Sequence, residues 1–399
     1  MIYDALVIGA GPAGATAALM LARAGWSVAV VEKKAFPRRK VCGEFISATS
    51  RPLLQQLGLG ARYDALAGPD VRRVGLYAGE TMVDAPMPQP SHTGAPWGRA
   101  LGREHFDLML LAAAAQAGAT LWQPWMVAAL ERNERGYACR LARKGGGRTL
   151  QARIVIDAHG SWERGPLPAQ SLHSHRPSDL IAFKAHFSDS CLPADLMPLL
   201  VFPGGYGGMV HSDGGRVSLS CCVRRDQLAA CRQRYPGASA GEAVVQHIKE
   251  SCVGVRDALE GAPIDGAILS AGPIRPGIRA RYADGIFYVG NSAGEAHPIV
   301  AEGISMAMQS AWLVCRRLIA QPAASPRALA GIGQAYAADW DAAFALRLRA
   351  AALLANVATR PGAAALLLLL LLLLLKRFPD ILTFGAHLSG KAKELVAAA

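Results

Sequence analysis

Tyr3-Asp-Ala-Leu-Val-Ile-Gly-Ala-Gly-Pro-Ala-Gly14 is the stretch that decides how this chain folds. Tyr3 to Ile8 is a short apolar run suited to a buried parallel strand, and the glycines break it before the alanine-rich run Ala15 to Ala24. The order is strand, glycine turn, helix. Gly9 permits the tight turn, Gly11 lets the backbone approach a pyrophosphate, and Gly14 with Ala18 lets the helix lie close on the sheet. Pro12 and Ala13 open that helix, whose positive end meets the phosphates. A second strand, Ser27 to Val31, ends in Glu32, 18 residues beyond Gly14. A carboxylate there accepts hydrogen bonds from both ribose hydroxyls and repels a 2′-phosphate. Lys33 follows directly. The unit therefore predicts dinucleotide binding, and by itself leaves NAD and FAD open because both present the same ADP half.

The 399 residues exceed one average domain, and a composition 52% hydrophobic and 18% charged suits a packed globule. Eight cysteines, at 42, 139, 191, 221, 222, 231, 252 and 315, show no CxxC or Cys/His ligand spacing, so neither a metal site nor a disulfide framework is indicated. That usage fits a reducing cytoplasm, and the strand beginning at Ile2 leaves no room for a secretory signal. The net charge of +12 is scattered, with no basic stripe interleaved with aromatics, so nucleic acid is not expected as a partner. Ala363 to Leu375 is a tract of 13 apolar residues, ten of them consecutive leucines. Spanning a bilayer takes roughly 20. The tract is expected either to pack as a helix or to make peripheral membrane contact. No feature sets an oligomeric state.

Far along the chain, Gly285 to Val289 reads as another buried strand, followed by Gly290-Asn-Ser-Ala-Gly-Glu-Ala-His-Pro298 and a helix from about Glu302 to Ile319. Here the sequence resembles the p-hydroxybenzoate hydroxylase and geranylgeranyl reductase superfamily of flavoproteins. In that family a late strand ends in Gly-Asp, then a small-residue stretch, a proline and Gly-Glu-Gly-Ile opening a helix. This chain has Gly290-Asn291 and, after Pro298, Ala301-Glu302-Gly303-Ile304. The resemblance implies FAD as cofactor, with Asn291 at the ribityl or pyrophosphate region and the Gly303 and Ile304 backbone facing the flavin pyrimidine ring. The positive end of a helix there stabilises the charge of reduced flavin. Asn291 departs from the family aspartate and loses its negative charge.

Gly102-Arg103-Glu104-His105-Phe106-Asp107, leading into a helix to about Ala117, resembles the segment whose arginine reaches the FAD, which implies that role for Arg103. Ile154-Val-Ile-Asp-Ala-His-Gly160 resembles the strand ending in Asp-Gly, with His159 where the family has aspartate; Gly160 and Val127 are counted with the cofactor site on the same resemblance. Arg38 to Ser47 (RRKVCGEFIS) resembles the geranylgeranyl reductase branch, where a Lys-x-Cys-Gly stretch passes beside the isoalloxazine. That places Lys40 and Cys42 near the flavin. Arg38, Arg39 and Lys40 favour a Cys42 thiolate, and a small buried cysteine is the other reading. Glu44 either orients substrate or pairs with those bases. His297 either exchanges protons near the flavin edge or serves the loop structurally. Cys42, Glu44 and His297 are the candidate catalytic residues.

The expected fold is α/β: a Rossmann-type FAD-binding domain with a parallel sheet, an interleaved antiparallel-sheet substrate domain and a helical C-terminal region. The expected boundaries are 1–178 and 271–320 for the FAD-binding domain, 179–270 for the substrate domain and 321–399 for the helical region. Alternation over Leu180 to Phe187 and Arg216 to Val223, with Leu199 to Val210 between, predicts antiparallel strands roofing the flavin. Few fixed charges occur there, so an apolar substrate is expected, an aromatic polyketide, alkylphenol or isoprenoid. The tail predicts helices over Pro326 to Phe344, a continuation to Ala358, and Phe378 to Lys393.

The resemblance implies an FAD-dependent oxidoreductase and leaves the reaction divided. As a monooxygenase, NAD(P)H would reduce FAD and a flavin C4a-hydroperoxide would hydroxylate or epoxidise the substrate. As a geranylgeranyl-reductase-like enzyme, reduced flavin would pass hydride to a carbon-carbon double bond. The tryptophan motif of halogenases is absent. The narrow preference is for a monooxygenase, by analogy with the commoner occupants of this architecture. A catalytically silent flavin-binding protein is the third reading, from the loss of acidic residues at 159 and 291.

Overall fold

The computed structural model describes residues 2–90, 97–160, 174–321, 325–359, 374–375, 377–391 and 395. Strand Ile2–Ile8 is central. It pairs in parallel with Val28–Val31 on one side and Gly146–Asp157 on the other, and the run extends through Thr120–Trp122 and Ile286–Tyr288. Helices Pro12–Arg23, Arg103–Gln116 and Gly303–Ala320 pack together beside this sheet. Leu6, Val7, Val30, Val155, Ile156 and Phe287 are all buried as a result. Burying each such side chain contributes about 1.5–3 kcal/mol, which is why these strands read as continuous apolar runs.

All five parallel strands end at one edge. Gly9, Glu32, Ala158 and Val289 follow directly on Ile8, Val31, Asp157 and Tyr288, and that edge is where open α/β sheets bind ligands. The α/β fold with a helical tail is as the sequence implied.

The second sheet has seven strands, in the order Leu269–Ile274, Leu180–Phe187, Val217–Arg224, Gly205–His211, Leu196–Phe202, Arg73–Ala78 and Thr81–Pro86. Only Leu196–Phe202 and Arg73–Ala78 run parallel. The sequence boundaries put residues 73–86 with the cofactor unit, yet both strands lie in this sheet, where they cover what would otherwise be the open edge of Leu196–Phe202. Leu199 to Val210 divides into a hairpin, Leu196–Phe202 and Gly205–His211.

Helices Arg225–Arg234 and Ala240–Ser251 were not foreseen within 179–270. The signal for the second was Ser239-Ala-Gly-Glu242, a capping box in which each side chain accepts from the other residue's backbone N–H. They matter because they settle which face of the sheet looks inward. Phe183, Ala185 and Phe187 pack under Val244, Val245 and Ile248. By the two-residue alternation of a strand, Leu180, Ala182, Lys184 and His186 turn toward the first unit.

The tail begins with one continuous helix, Pro326–Thr359, where a helix with a continuation was expected. Ala355 packs on Leu180, Ala182, Tyr206, Cys222 and Ile274. The helix expected over Phe378 to Lys393 starts at Asp380, runs to Ala386 and passes into a wider turn, His387–Lys391, kinked at Gly390 with φ +100°. Ala386 packs on Phe45, Val71, Met87, Ala100, Met197 and Val210. The tail therefore lies over the seam between the two sheets. Except for Leu374 and Leu375, the expected leucine helix lies outside the described residues. No helix among the described residues is long and apolar enough to cross a membrane.

Candidate active site

The glycine turn is built by close approach. Gly9 has φ +98°, and a Cβ there would run into the Ala158 carbonyl; a Cβ on Gly14 would overlap the Gly9 carbonyl oxygen. Gly11 differs. Its missing side chain opens on space whose nearest atom is Arg103 Nη2 at 3.7 Å, so the arginine and the turn face each other across a gap. Pro12 starts the Pro12–Arg23 helix at its first position, and no side chain caps the helix end. Ala13 packs on the backbone at Gly290.

Glu32 folds back onto this turn. Its Oε2 accepts from Ala10 N–H at 3.1 Å, and its Oε1 accepts from Lys34 N–H and Arg38 Nη2, each at 3.0 Å. Lys33 is half-buried just beyond, and Val127 lies in the core on the strand Met126–Asn133, two residues after Trp125, whose N–H donates to the Glu32 carbonyl.

Three cations converge here. Burial, helped by the charges of Arg103 and Arg38, pulls the Lys40 ammonium down to about 8. Arg103 is buried and held by both oxygens of Asp107, at 2.7 Å each. Burial would lower its affinity for a proton, but Asp107 more than offsets that and raises it. The Arg38 Nε is buried without a partner among the described residues. A Lys40 ammonium disfavoured by burial and by its neighbouring cations, beside a helix N-terminus with no side-chain cap, fits a dinucleotide pyrophosphate, which brings negative charge to it. The residues present thus fit FAD. Arg103, Lys40 and the Gly9–Gly14 turn would hold its phosphates and Glu32 its ribose.

The two positions lacking the expected aspartate are treated alike. His159 Nδ1 is bonded to Asp157 Oδ1, and Asn291 Nδ2 donates to Glu295 Oε1 at 3.1 Å. Both carboxylates are buried. In each case an acid two or four residues away stands on the replacing side chain. Ser292 joins the first pair, accepting from Gly160 N–H at 3.2 Å; Arg279 joins the second, donating to Glu295 at 3.3 Å. Gly160 has φ +102°, and no atom of the described residues beyond its chain neighbours stands within 4 Å of where its Cβ would be. Asp157 was in the quoted strand but not singled out, and Glu295 carries no motif.

Cys42 is half-buried, with its thiol beside the Arg103 guanidinium. Of the bases expected around it, Arg38 turns to Glu32, while Arg39 turns to His186 Nδ1 and the Asp265 carbonyl. Ser220 on the second sheet donates to the Cys42 carbonyl at 2.9 Å. Glu44 does not pair with Arg38 or Lys40 either. It sits at φ +65° with its side chain fully buried, taking Lys184 Nζ and the Arg103 N–H on Oε1 and His186 Nε2 on Oε2. Burial alone would raise its pKa; the His186 hydrogen bond and the Lys184 charge outweigh that and hold it at about 2. Because Arg39 donates to Nδ1, His186 carries its proton on Nε2. Sequence reasoning passed over Lys184 and His186. Their signal was polarity at the inward positions of an otherwise apolar alternation, Leu180-Ile-Ala-Phe-Lys-Ala-His-Phe187.

His297 lies on the loop before the Gly303–Ala320 helix, and Tyr206 OH meets its Nδ1 at 3.3 Å. Burial pulls this imidazole down to about 4 and pushes the Tyr206 hydroxyl well up. The loop converges with that of Cys42, because Val41 and Ile299 pack against the same cluster of Leu180, Ala182 and Tyr206. Pro298 is exposed; Gly303 is exposed at the helix start and Ile304 is buried behind it.

Comparison with known proteins agrees with this cradle. The chain is 27% identical over 322 residues to a tryptophan 2-halogenase of Chondromyces crocatus, covering 77% of this chain and 59% of that protein, so it spans less than two thirds of the halogenase. It is 28% identical over 337 residues to digeranylgeranylglycerophospholipid reductase 2 of Methanopyrus kandleri, covering 81% and 77%. The solved structure of PqsL from Pseudomonas aeruginosa, described as a probable FAD-dependent monooxygenase, superposes with a TM-score of 0.69 at 19% identity over 92% of this chain and 98% of that one. The three relatives carry three different chemistries. A match over residues 2–330 places this chain in the family described as FAD binding domain, an FAD-dependent oxidoreductase.

Proposed function

We propose that this flavoprotein is a monooxygenase acting on an apolar aromatic or lipid-like molecule, with NADH or NADPH as electron donor. Bound FAD supplies electron transfer and, once reduced, reaction with dioxygen. The chain's own residues supply the rest. The observation that carries the reading is His297, half-buried with its Nδ1 3.3 Å from the Tyr206 hydroxyl and its affinity for a proton lowered by burial. Glu44 is likewise in its basic form. Two of the three candidate catalytic groups are therefore unprotonated near neutral pH and neither holds a proton to give, which weighs against protonation of a reduced double bond.

The test is anaerobic reduction of the yellow protein with NADPH or NADH, followed by rapid mixing with oxygenated buffer. A transient spectrum distinct from oxidised and reduced flavin supports oxygen activation; smooth reoxidation without one sinks this reading.

A second reading, saturation of prenyl double bonds, draws support from the Cys42 thiol beside Arg103 and from likeness to the prenyl-lipid reductase. Loss of a test prenyl alkene upon anaerobic turnover favours it. The silent reading loses its main support, since both positions without the expected aspartate have a buried carboxylate bonded to them.

A further inference from the structure

The C-terminal segment brings a second charge cluster to the loop that opens the Gly303–Ala320 helix. Glu302, next to that helix start, is buried with only 1% of its surface exposed. Its Oε1 accepts from Lys391 Nζ at 3.1 Å, and its Oε2 has no partner among the described residues. Lys391, itself 5% exposed, also donates to the Val300 carbonyl at 2.8 Å and stands 5.0 Å from the centre of the Phe45 ring. Arg347 is the next cation. It is 8% exposed, lies against Gly390, and burial lowers its affinity for a proton, with the charge of Glu302 opposing that only in part.

Among the described residues, Lys391 and Arg347 are thus two buried cations beside one buried carboxylate, an excess of one positive charge in a dry region. An isolated buried ammonium is costly and is retained only where it is paired or used. Lys391 and Arg347 both lie beyond residue 330, where the family match ends, so the family fold alone does not account for them. Resting on the reading that FAD binds with its pyrimidine end toward residues 303 and 304, we propose that Lys391, with Arg347, raises the reduction potential of the bound flavin by outweighing the charge of Glu302. Reduced flavin carries negative charge at its pyrimidine edge, and a net cation nearby in low dielectric stabilises that form over the oxidised one. Lys391 is in this sense a positioning residue for charge, delivered by a segment 89 residues further along the chain than Glu302.

The experiment measures the two-electron midpoint potential of the full-length, FAD-loaded protein by equilibration with a reference dye during slow enzymatic reduction. Lys391→Met is expected to shift the reduced-to-oxidised equilibrium at least about tenfold toward oxidised flavin, ~30 mV downward for a two-electron couple. Glu302→Gln is expected to move it upward by a similar factor, and the double variant to return near wild type. Lys391→Arg keeps the charge and is expected to keep the potential; should Lys391→Met fail to fold, the opposite behaviour of Glu302→Gln and Lys391→Arg decides. Shifts of the same sign from Lys391→Met and Glu302→Gln, or an unmoved potential in Glu302→Gln, overturn the proposal while leaving flavin binding intact. Wild-type protein that takes up no FAD overturns it together with the reading beneath it.

Discussion

His186 Nε2 and Glu44 Oε2 lie 2.8 Å apart with neither side chain exposed, and this contact ties the loop carrying Cys42 to the second sheet. Lys184 completes the pair from one strand and Arg39 backs the histidine from the loop. The loop beside the expected flavin therefore takes its shape from residues 140 positions away.

Removing one partner should cost more than removing both. Glu44→Gln or Lys184→Met leaves a buried charge facing a neutral group, and a loss of about 3–5 kcal/mol is expected by urea unfolding. Glu44→Gln combined with Lys184→Met is expected to recover part of it. Equal losses from single and double variants would contradict a coupled pair.

The same carboxylate gives a pH signature. Its pKa falls from 4.5 in the unfolded chain to about 2 in the fold, so between those values the unfolded state binds the extra proton. Its stabilisation is whole above about 4.5 and fades as pH falls toward 2. The stability gap between wild type and Glu44→Gln is expected to shrink from pH 5 to pH 3, read as the shift in urea midpoint at each pH.

Two glycines separate folding from cofactor binding. Gly14→Ala places a Cβ on the Gly9 carbonyl and is expected to lower the melting temperature without any ligand. Gly11→Ala has room among the described residues, of which only Arg103 lies within reach at 3.7 Å. Its ligand-free melting temperature should match wild type while FAD affinity falls. Calorimetry of the stripped protein and flavin fluorescence titration check the two halves.

Arg103→Met removes a cation facing the turn and leaves Asp107 unpaired. FAD affinity is expected to fall roughly tenfold to a hundredfold, the worth of a charge-assisted hydrogen bond. Unchanged affinity in a fluorescence titration would remove Arg103 from the cradle.

His297 carries the opposite pH sign to an ordinary surface histidine. Its pKa drops from 6.5 to about 4, so the unfolded state holds the extra proton in between and stability declines as pH falls from 6.5 toward 4. Substrate turnover that depends on its neutral form is expected to persist below pH 6 and fall near pH 4. His297→Gln is expected to remove that acid limb from the pH profile; an acid limb that stays in place would assign it to another group.

The N-terminal unit was legible because its determinants are local. A strand, three glycines at fixed offsets and an acid on the next strand need only a few neighbouring residues to specify the turn, and Gly9 and Gly14 stand at close backbone approaches with Glu32 bonded back to the turn. The strand Leu180–Phe187 was legible for a similar reason, since alternation is a property of the segment itself. Strands Arg73–Ala78 and Thr81–Pro86 were not, because membership of a sheet depends on which distant edge remains to be paired.

The chemistry divides along the same line. The sequence by itself determined the dinucleotide cradle and the flavoprotein family, both written in short motifs whose backbone geometry leaves little choice of residue. Only the tertiary structure decided which charges stand beside them: Lys184 and His186 on Glu44, Asp157 on His159, Glu295 on Asn291, Lys391 on Glu302. A buried charge is tolerated only where another part of the chain brings its partner. Lys184 and Lys391 find their partners 140 and 89 residues away, so those pairings exist only once the sheets and the tail have closed on one another.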